Sequence, residues 1–235
     1  MAKDEDKKKE KGGCLGKLLG LIVIATIAGL GASIYFVTQP QDLTDLQDSP
    51  AEAGRGGSVR DIKTVLEKSI QGDHSVRLTE KELNRWLASE LDLTQGGELG
   101  ANVSLKRVWV RLREGVAEII FEREVAGYPM TTSMFLQVEQ LETGKGMRTN
   151  VHLHGGGYSD SLPIPTRGGR FGQLVVPQGF LTLVLPDFEK LAAVFETEIE
   201  LGFEKMARIK IEDKALVLDP SPPKSNANSG GPRSF

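Results

Sequence analysis

The chain has 235 residues, of which 39% are hydrophobic, 26% charged and only 6% aromatic, a composition that excludes collagen-like, coiled-coil and wholly disordered chains. Its formal net charge is -3, and no clustered basic face indicates a nucleic-acid-binding protein. A single cysteine, Cys14, excludes an intramolecular disulfide framework and a Cys-clustered metal site.

Residues 18–37 form an uncharged apolar run, which as a helix spans the hydrocarbon core of a bilayer, about 30 Å. The preceding residues 1–17 contain six Lys and four acidic side chains, and the positive-inside rule then predicts a cytoplasmic N-terminus and an extracytoplasmic C-terminal part. The competing interpretation is a cleaved secretory signal, whose apolar region is usually about 7–15 residues long. The length of the run favours an uncleaved signal-anchor, and hence a single-pass protein of the cell membrane.

The composition divides the exported part into three segments. Residues 38–57 are rich in Gln, Asp, Pro and Gly without apolar periodicity, which predicts a flexible stalk. Residues 219–235 are rich in Pro, Ser, Asn and Gly, which predicts a disordered tail. The remaining residues 58–218 are long enough to form one extracytoplasmic domain with its own core.

Two amphipathic helices are predicted at the start of this domain. The first follows Ser58, a suitable N-cap, and carries apolar residues at helical spacing. The second begins at Thr79 and Glu82, which have the spacing of a capping box, and its apolar stripe contains Leu83, Trp86 and Leu87. A short strand lies between them.

After residue 97 the apolar period changes from helical to alternating, which predicts four consecutive antiparallel strands. The alternation slips near Lys106 and Arg107, which indicates a β-bulge. Downstream, the sequence predicts a Pro/Gly-rich connection, a strand over 171–176, a short helix, a long helix from residue 187 and a terminal hairpin. We therefore predict an α+β fold: an N-terminal transmembrane helix, then one curved antiparallel sheet covered by two or three helices.

Signatures of catalysis are not found in the sequence: G-x-S-x-G, H-E-x-x-H and Walker A motifs do not occur. His152 and His154 alternate onto one strand face, but zinc needs at least three protein ligands, and we expect them to be solvated rather than to bind a metal. Glu118, Glu122 and Glu124 are likewise expected on a solvated sheet face rather than in an acid-base pair. We expect no enzyme activity and no cofactor.

A basic glycine segment, Arg167-Gly168-Gly169-Arg170, is predicted as a loop. Its two arginines are able to receive a lipid headgroup phosphate or a carboxylate of a partner protein. An ordinary solvated turn remains the alternative, because Gly-rich turns are common.

The order of these elements, with "VRLTEKELNRWL" at residues 76–87 and "FGQLVVPQGFLTLVL" at residues 171–185, resembles the YpmS-like single-pass membrane proteins of unknown function. More distantly it is similar to the tubular lipid-binding (TULIP) and LolA-like folds. The resemblance covers about residues 58–218 and implies a curved sheet that holds an acyl chain. These motifs are packing motifs, and within them we expect the amide of Asn84 to pin its helix to the sheet.

Two functions are compatible with the sequence. In the first, a lipid or other hydrophobic ligand binds in a groove between helix and sheet; its expected lining is Leu83, Trp86, Leu87, Val110, Ile119 and Phe121. In the second, the same residues form a closed core, and the domain is a non-catalytic scaffold that contacts other envelope proteins. The resemblance and the position beside a bilayer favour the first.

Overall fold

The structure is a computed structural model that describes residues 14–47, 59–94, 103–143, 146–159 and 161–221. It begins with the helix α1, Cys14–Thr38, which confirms the predicted apolar helix. Over Gly16–Thr38 this helix is long and apolar enough to cross a membrane, a property that membrane anchors and signal sequences share.

The helix α2, Ile62–Gly72, is capped at its N-terminus by Asp61, whose carboxylate accepts from the Lys63 N–H at 3.1 Å. The predicted cap, Ser58, lies outside the described residues. Asp61 suits the position because its short carboxylate reaches the N–H groups of the first turn, which have no partner within the helix.

The strand β1, Val76–Thr79, leads directly into the helix α3, Glu80–Thr94. The predicted capping box is confirmed: the Thr79 hydroxyl accepts from the Glu82 N–H at 3.2 Å, and the Glu82 carboxylate accepts from the Thr79 N–H at 2.9 Å. Each side chain thus satisfies a backbone donor that the start of a helix leaves free.

The large antiparallel sheet is built first by a meander of four strands, as predicted. These are β2, Val103–Arg113; β3, Val116–Val125; β4, Tyr128–Thr143; and β5, Gly146–His152. The register of β2 on β3 shifts between Leu105 and Arg107, which confirms the predicted bulge.

Three further strands complete this sheet: β6, Gly157–Ser159; β7, Leu162–Phe171; and β8, Leu174–Pro177. The strand order is β2-β3-β4-β7-β6, with β5 paired to the later half of β4 and β8 paired to β7. The prediction of a loop at Arg167–Arg170 is therefore wrong, and the predicted strand over 171–176 is divided by a turn at Gly172.

The two glycines of this segment explain why it forms a strand. A Cβ atom on Gly169 would overlap the backbone of Ser133 on β4, and one on Gly168 would overlap the backbone of Gln178. The glycines therefore allow β7 to approach its neighbours closely, rather than to turn.

The C-terminal part is helical up to residue 204. A 3-10 helix, Gln178–Leu183, precedes α4, Leu185–Val194, and α5, Glu196–Ile199, which is followed by a π-helical turn, Glu200–Glu204. We call residues 185–204 the C-terminal helical segment. The continuous helix predicted here is interrupted at Phe195, whose φ of -108° and ψ of 28° are not helical.

The terminal hairpin is confirmed as β9, Arg208–Glu212, and β10, Ala215–Asp219. It pairs with β1 in a separate three-stranded sheet of order β1-β10-β9, so the expectation of one sheet is wrong. The hairpin joins β1 because Val76–Thr79 offers a free strand edge, with Val76 opposite Leu218.

One face of the large sheet, the inner face, packs against α2, α3 and the C-terminal helical segment in the main hydrophobic core. The opposite, outer face is covered by residues 39–46, which we call the strap. Leu43 and Leu46 of the strap are buried against Trp109 of β2 and Ile120 of β3. The first part of the predicted flexible stalk is thus packed on the sheet.

Charged groups reinforce this contact. The Arg111 guanidinium donates to both carboxylate oxygens of Asp45 in the strap, at 3.0 and 2.8 Å, and lies 3.3 Å from Glu118. Burial alone would lower the pKa of Arg111, but Asp45 and Glu118 outweigh this effect and raise the pKa, so the group stays charged. The expectation that Glu118 is solvated is wrong: it is 4% exposed, because the strap covers it.

The turn between β7 and β8 ties the sheet to the end of α1. The Gln173 N–H, in the turn between β7 and β8, donates to the Phe36 carbonyl at 2.9 Å. Gly172 in the same turn has a φ of +56°, and a Cβ atom there would overlap the carbonyl oxygens of Phe36, Val37 and Gln39. The end of α1 is therefore in direct contact with the sheet.

A candidate hydrophobic ligand site

A cavity of about 500 Å³ lies between the helices and the inner face of the large sheet. Its lining side chains are apolar except for that of Glu198. The volume is within the range of ligand pockets, about 300–1,000 Å³.

The helical wall comes from α2 and α3. Ile62 and Leu66 of α2 and Leu83, Trp86 and Leu87 of α3 line the cavity. Residues three and four apart lie on the same helix face. The apolar stripe seen in the sequence is therefore the face that lines the cavity.

Asn84 fixes the position of this wall. Its side-chain oxygen accepts from the Val110 N–H at 2.7 Å, and its side-chain nitrogen donates to the Val110 carbonyl at 2.8 Å. One turn earlier, the Glu80 carboxylate accepts from the Leu112 N–H at 2.7 Å. The prediction that Asn84 pins its helix to the sheet is confirmed.

The sheet wall is formed by alternate residues of the meander. Val108, Val110 and Leu112 on β2, Ala117 and Ile119 on β3, and Met134, Leu136 and Val138 on β4 line the cavity. Successive side chains of a strand point to opposite faces, so the residues between them lie on the outer face.

The third wall is the C-terminal helical segment, which contributes Phe188, Leu191, Phe195, Ile199 and Phe203. Two aromatic pairs hold it in place. Phe195 packs on Trp86 with ring centroids 4.9 Å apart, and Phe188 meets Phe121 edge to face at 4.6 Å. Such pairs stabilise a contact beyond the area they bury.

Five of the six residues predicted for the groove line this cavity: Leu83, Trp86, Leu87, Val110 and Ile119. The sixth, Phe121, does not line it. Its side chain packs against Phe188 and is 2% exposed. Alternation identifies the face of a strand but not the point along the strand where the packing closes.

Sequence reasoning did not assign the third wall to the site, although the signal was present. Phe188, Leu191, Phe195, Ile199 and Phe203 recur at helical spacing. That spacing shows that the segment has an apolar face, but not that this face meets the same cavity as α3.

The two arginines predicted as a headgroup or partner site do not lie in the cavity lining, and the structure gives them different surroundings. Arg170 is half-buried on the outer face, with its Nε 3.4 Å from the Glu118 carboxylate and its guanidinium over the Phe135 ring. Arg167 is exposed on β7, where its backbone N–H donates to the Gly156 carbonyl at 2.9 Å.

The two histidines each contact a neighbour on β4. The His152 Nε2 is 3.0 Å from the Glu139 carboxylate, and the His154 Nδ1 is 3.2 Å from the Gln137 side-chain oxygen. In the part of the chain that the structure describes, no three His, Cys, Asp or Glu side chains are grouped so that they can hold a metal ion.

Comparisons with protein families, with curated proteins and with solved structures find no match for the chain. The function is therefore inferred from the cavity and its surroundings.

Proposed function

We propose that the chain is a membrane-anchored protein whose extracytoplasmic domain binds a lipid or another hydrophobic ligand in the cavity between the helices and the inner face of the sheet. The observation that carries this proposal is a volume of about 500 Å³ with an almost wholly apolar lining. The proposed role is binding, since Glu198 is the one polar side chain among the described residues of the lining.

The volume of the cavity favours a ligand-binding role over a purely structural one. Unfilled apolar space lowers the free energy of unfolding, because the atoms that line it lose packing contacts. A scaffold would be more stable with larger side chains at these positions, whereas a binding protein needs the space.

Lipid extraction and native mass spectrometry of the full chain, purified in an amphipathic polymer, test the proposal. The wild type is expected to retain a hydrophobic ligand, and Ile119→Trp and Gly202→Leu, which fill the cavity from opposite walls, are expected to lose it. Ile164→Trp is the matched control, because Ile164 lies on a strand but is 79% exposed.

A wild type that carries no more lipid than the two filled variants contradicts the proposal. It would leave the alternative, a scaffolding domain that contacts other envelope proteins. Two filled variants are used so that misfolding of one of them does not leave the proposal untested. Circular dichroism identifies a misfolded variant.

We further propose that α1 is an uncleaved anchor with a cytoplasmic N-terminus. Its length and apolar composition, the Lys-rich residues before it and the direct contact of its end with the sheet support this topology. Protease added to the outer side of intact cells or spheroplasts should digest the domain. Digestion only from the cytoplasmic side, or release of the domain into the soluble fraction, contradicts the topology.

A further inference from the structure

A surface cleft lies beside the cavity, between β5 and the C-terminal helical segment. It has a volume of about 640 Å³. Four residues line both the cleft and the cavity: Val151, Ala192, Ile199 and Phe203. We call these four residues the portal, because they lie where the cavity meets the surface cleft.

The portal is apolar although it faces solvent. Val151 on β5 is 47% exposed and Ile199 is 40% exposed. Large apolar side chains that line a path from solvent to an apolar cavity are typical of a ligand entrance.

One side of the portal is an edge strand, and the other is an interrupted helix. Among the described strands, β5 pairs only with β4. On the other side the helix is interrupted at Phe195 and ends in the π-helical turn Glu200–Glu204, and π-helical turns occur frequently at functional sites. The helical side of the portal therefore has two points at which its backbone can adjust.

Beyond the portal the lining becomes polar. The cleft is bordered by Arg148, Thr149, Glu196, Glu200 and Glu204. The site thus has an apolar interior and a polar mouth, which is the arrangement that an amphiphile requires.

The volume of the cavity limits the number of chains. A methylene group occupies about the volume of a water molecule in the liquid, about 30 Å³, so that about 500 Å³ accommodates one chain of roughly 16 carbons. Two such chains need about twice that volume. The second chain of a diacyl lipid would then lie in the polar cleft, where it would desolvate carboxylates.

We propose that the site takes one acyl chain of a single-chain amphiphile with a zwitterionic head, a lysophospholipid, inserted through the portal with its polar end in the cleft. The three carboxylates of the cleft suit the cationic part of such a head and Arg148 suits its phosphate, whereas the carboxylate of a fatty acid would be repelled. This inference rests on the proposed function and adds the class of ligand and the route of entry.

The two tryptophans of the chain provide a direct test. Trp86 lines the cavity, whereas Trp109 is buried on the outer face beneath the strap, with its Nε1 donating to Glu122 at 2.8 Å. Trp109→Phe leaves Trp86 as the only reporter, and Trp86→Phe leaves Trp109 as the matched control on the other side of the sheet. Both are measured as full chains in phosphatidylcholine nanodiscs.

Bromine quenches tryptophan fluorescence only at short range, so the probes are brominated lipids. Brominated stearic acid and a lysophosphatidylcholine with the same chain form the two single-chain arms, which differ in the charge of the head. The third arm is nanodisc phosphatidylcholine with two brominated chains. We expect the lysophosphatidylcholine to quench Trp86 much more than Trp109, the stearic acid to quench Trp86 less, and the diacyl lipid to quench neither tryptophan selectively.

The route of entry is tested on the Trp86 reporter with Ala192→Phe, which narrows the portal. Its control is Ala193→Phe, on the exposed neighbouring residue that lines neither the cavity nor the cleft. Ala192→Phe is expected to slow quenching about tenfold, the effect of about 1.4 kcal/mol on a barrier. Ala193→Phe is expected to leave the rate unchanged.

Selective quenching of Trp86 by the diacyl lipid overturns the single-chain inference, and an equal rate in the two alanine variants overturns the portal. If lipid extraction finds a bound ligand but no single-chain probe quenches Trp86, only this inference fails. If neither experiment finds a ligand, the proposed function fails with it.

Discussion

Asn84 takes the place of a neighbouring strand at the edge of β2. Its amide makes two hydrogen bonds to the backbone of Val110, and it is 3% exposed. We expect Asn84→Leu to lower the free energy of unfolding by about 2–4 kcal/mol, because each buried backbone group left without a partner costs about 1–3 kcal/mol. Urea unfolding followed by tryptophan fluorescence measures the change.

Gln71→Leu is the control for this substitution, since Gln71 is an exposed polar residue of the preceding helix. It is expected to change the free energy of unfolding by less than about 0.5 kcal/mol. If Asn84→Leu is as mild as the control, the amide does not hold the helix to the sheet.

Glu82, in the first turn of the helix that carries Asn84, makes the stability of the protein depend on pH. Burial alone would raise the pKa of its carboxyl, but hydrogen bonds from the Thr79 backbone and hydroxyl, together with Arg60, outweigh burial and lower the pKa. A lowered folded-state pKa stabilises the fold above the ordinary carboxyl value of about 4.3, and this stabilisation is lost as the pH falls through the folded value.

We therefore expect Glu82→Gln to be less stable than the wild type by about 1 kcal/mol at pH 7. The difference should diminish as the pH falls below about 4. Urea unfolding of both proteins across this pH range measures it. A difference that is constant with pH would show that the carboxylate charge has no part in the cap.

For single residues, the sequence predicted a hydrogen bond where the two partners are close together in the chain. Thr79 and Glu82 are three residues apart, so spacing alone identified their mutual hydrogen bonds. Glu80 was not recognised, because its partner, the Leu112 N–H, is 32 residues away and the spacing of polar residues along a helix does not reveal which of them meets a strand edge.

Among the elements, the turn between β7 and β8 connects the sheet to the end of α1. Gly172 has a positive φ, and a Cβ atom added to it would overlap the carbonyl oxygens of Phe36, Val37 and Gln39, whereas Gly115, with a φ of +74°, has nothing within 4 Å of an added Cβ. Gly172→Ala therefore combines backbone strain with a clash, and Gly115→Ala has the strain alone.

We expect Gly172→Ala to separate the turn from α1 and to increase hydrogen exchange at the Gln173 N–H, which donates to Phe36. Gly115→Ala is expected to leave that exchange unchanged. Hydrogen exchange followed by mass spectrometry on both variants in nanodiscs makes the comparison. Equal exchange in the two variants would show that the contact with α1 is not maintained in solution.

The strap and β7 show why some elements could not be predicted. In the strap, Leu43 and Leu46 are two apolar residues in a polar segment, and only the folded sheet reveals that Trp109 and Ile120 need cover. In β7, glycine composition suggested a turn, because the sequence does not show that the Gly169 backbone lies against Ser133.

At the scale of the whole molecule, the sequence predicted which residues face one another but not whether the space between them is filled. A packed core and a ligand cavity require the same apolar residues, so Leu83 and Ile119 would be apolar in either case. The distance between the sheet and the C-terminal helical segment decides the outcome, and aromatic contacts such as Phe121 on Phe188 set that distance.

Gly202 allows the cost of the cavity to be measured. It is a buried residue of the cavity lining, and an added Cβ would meet nothing within 4 Å. Gly179, on the exposed 3-10 helix, also has nothing within 4 Å of an added Cβ. Leucine at either position changes helix propensity, but only Gly202→Leu adds apolar volume to the cavity.

We expect Gly202→Leu to stabilise the ligand-free protein by about 1.5–3 kcal/mol more than Gly179→Leu does, which is the value of burying a leucine side chain. Stearoyl lysophosphatidylcholine at 100 times its Kd should stabilise the wild type and Gly179→Leu by about 2.7 kcal/mol. The same addition should stabilise Gly202→Leu much less, because the leucine occupies the space of the chain. Unfolding in nanodiscs with and without this lysolipid measures both effects. Equal stabilisation of all three proteins by the lysolipid would place its binding site outside this cavity.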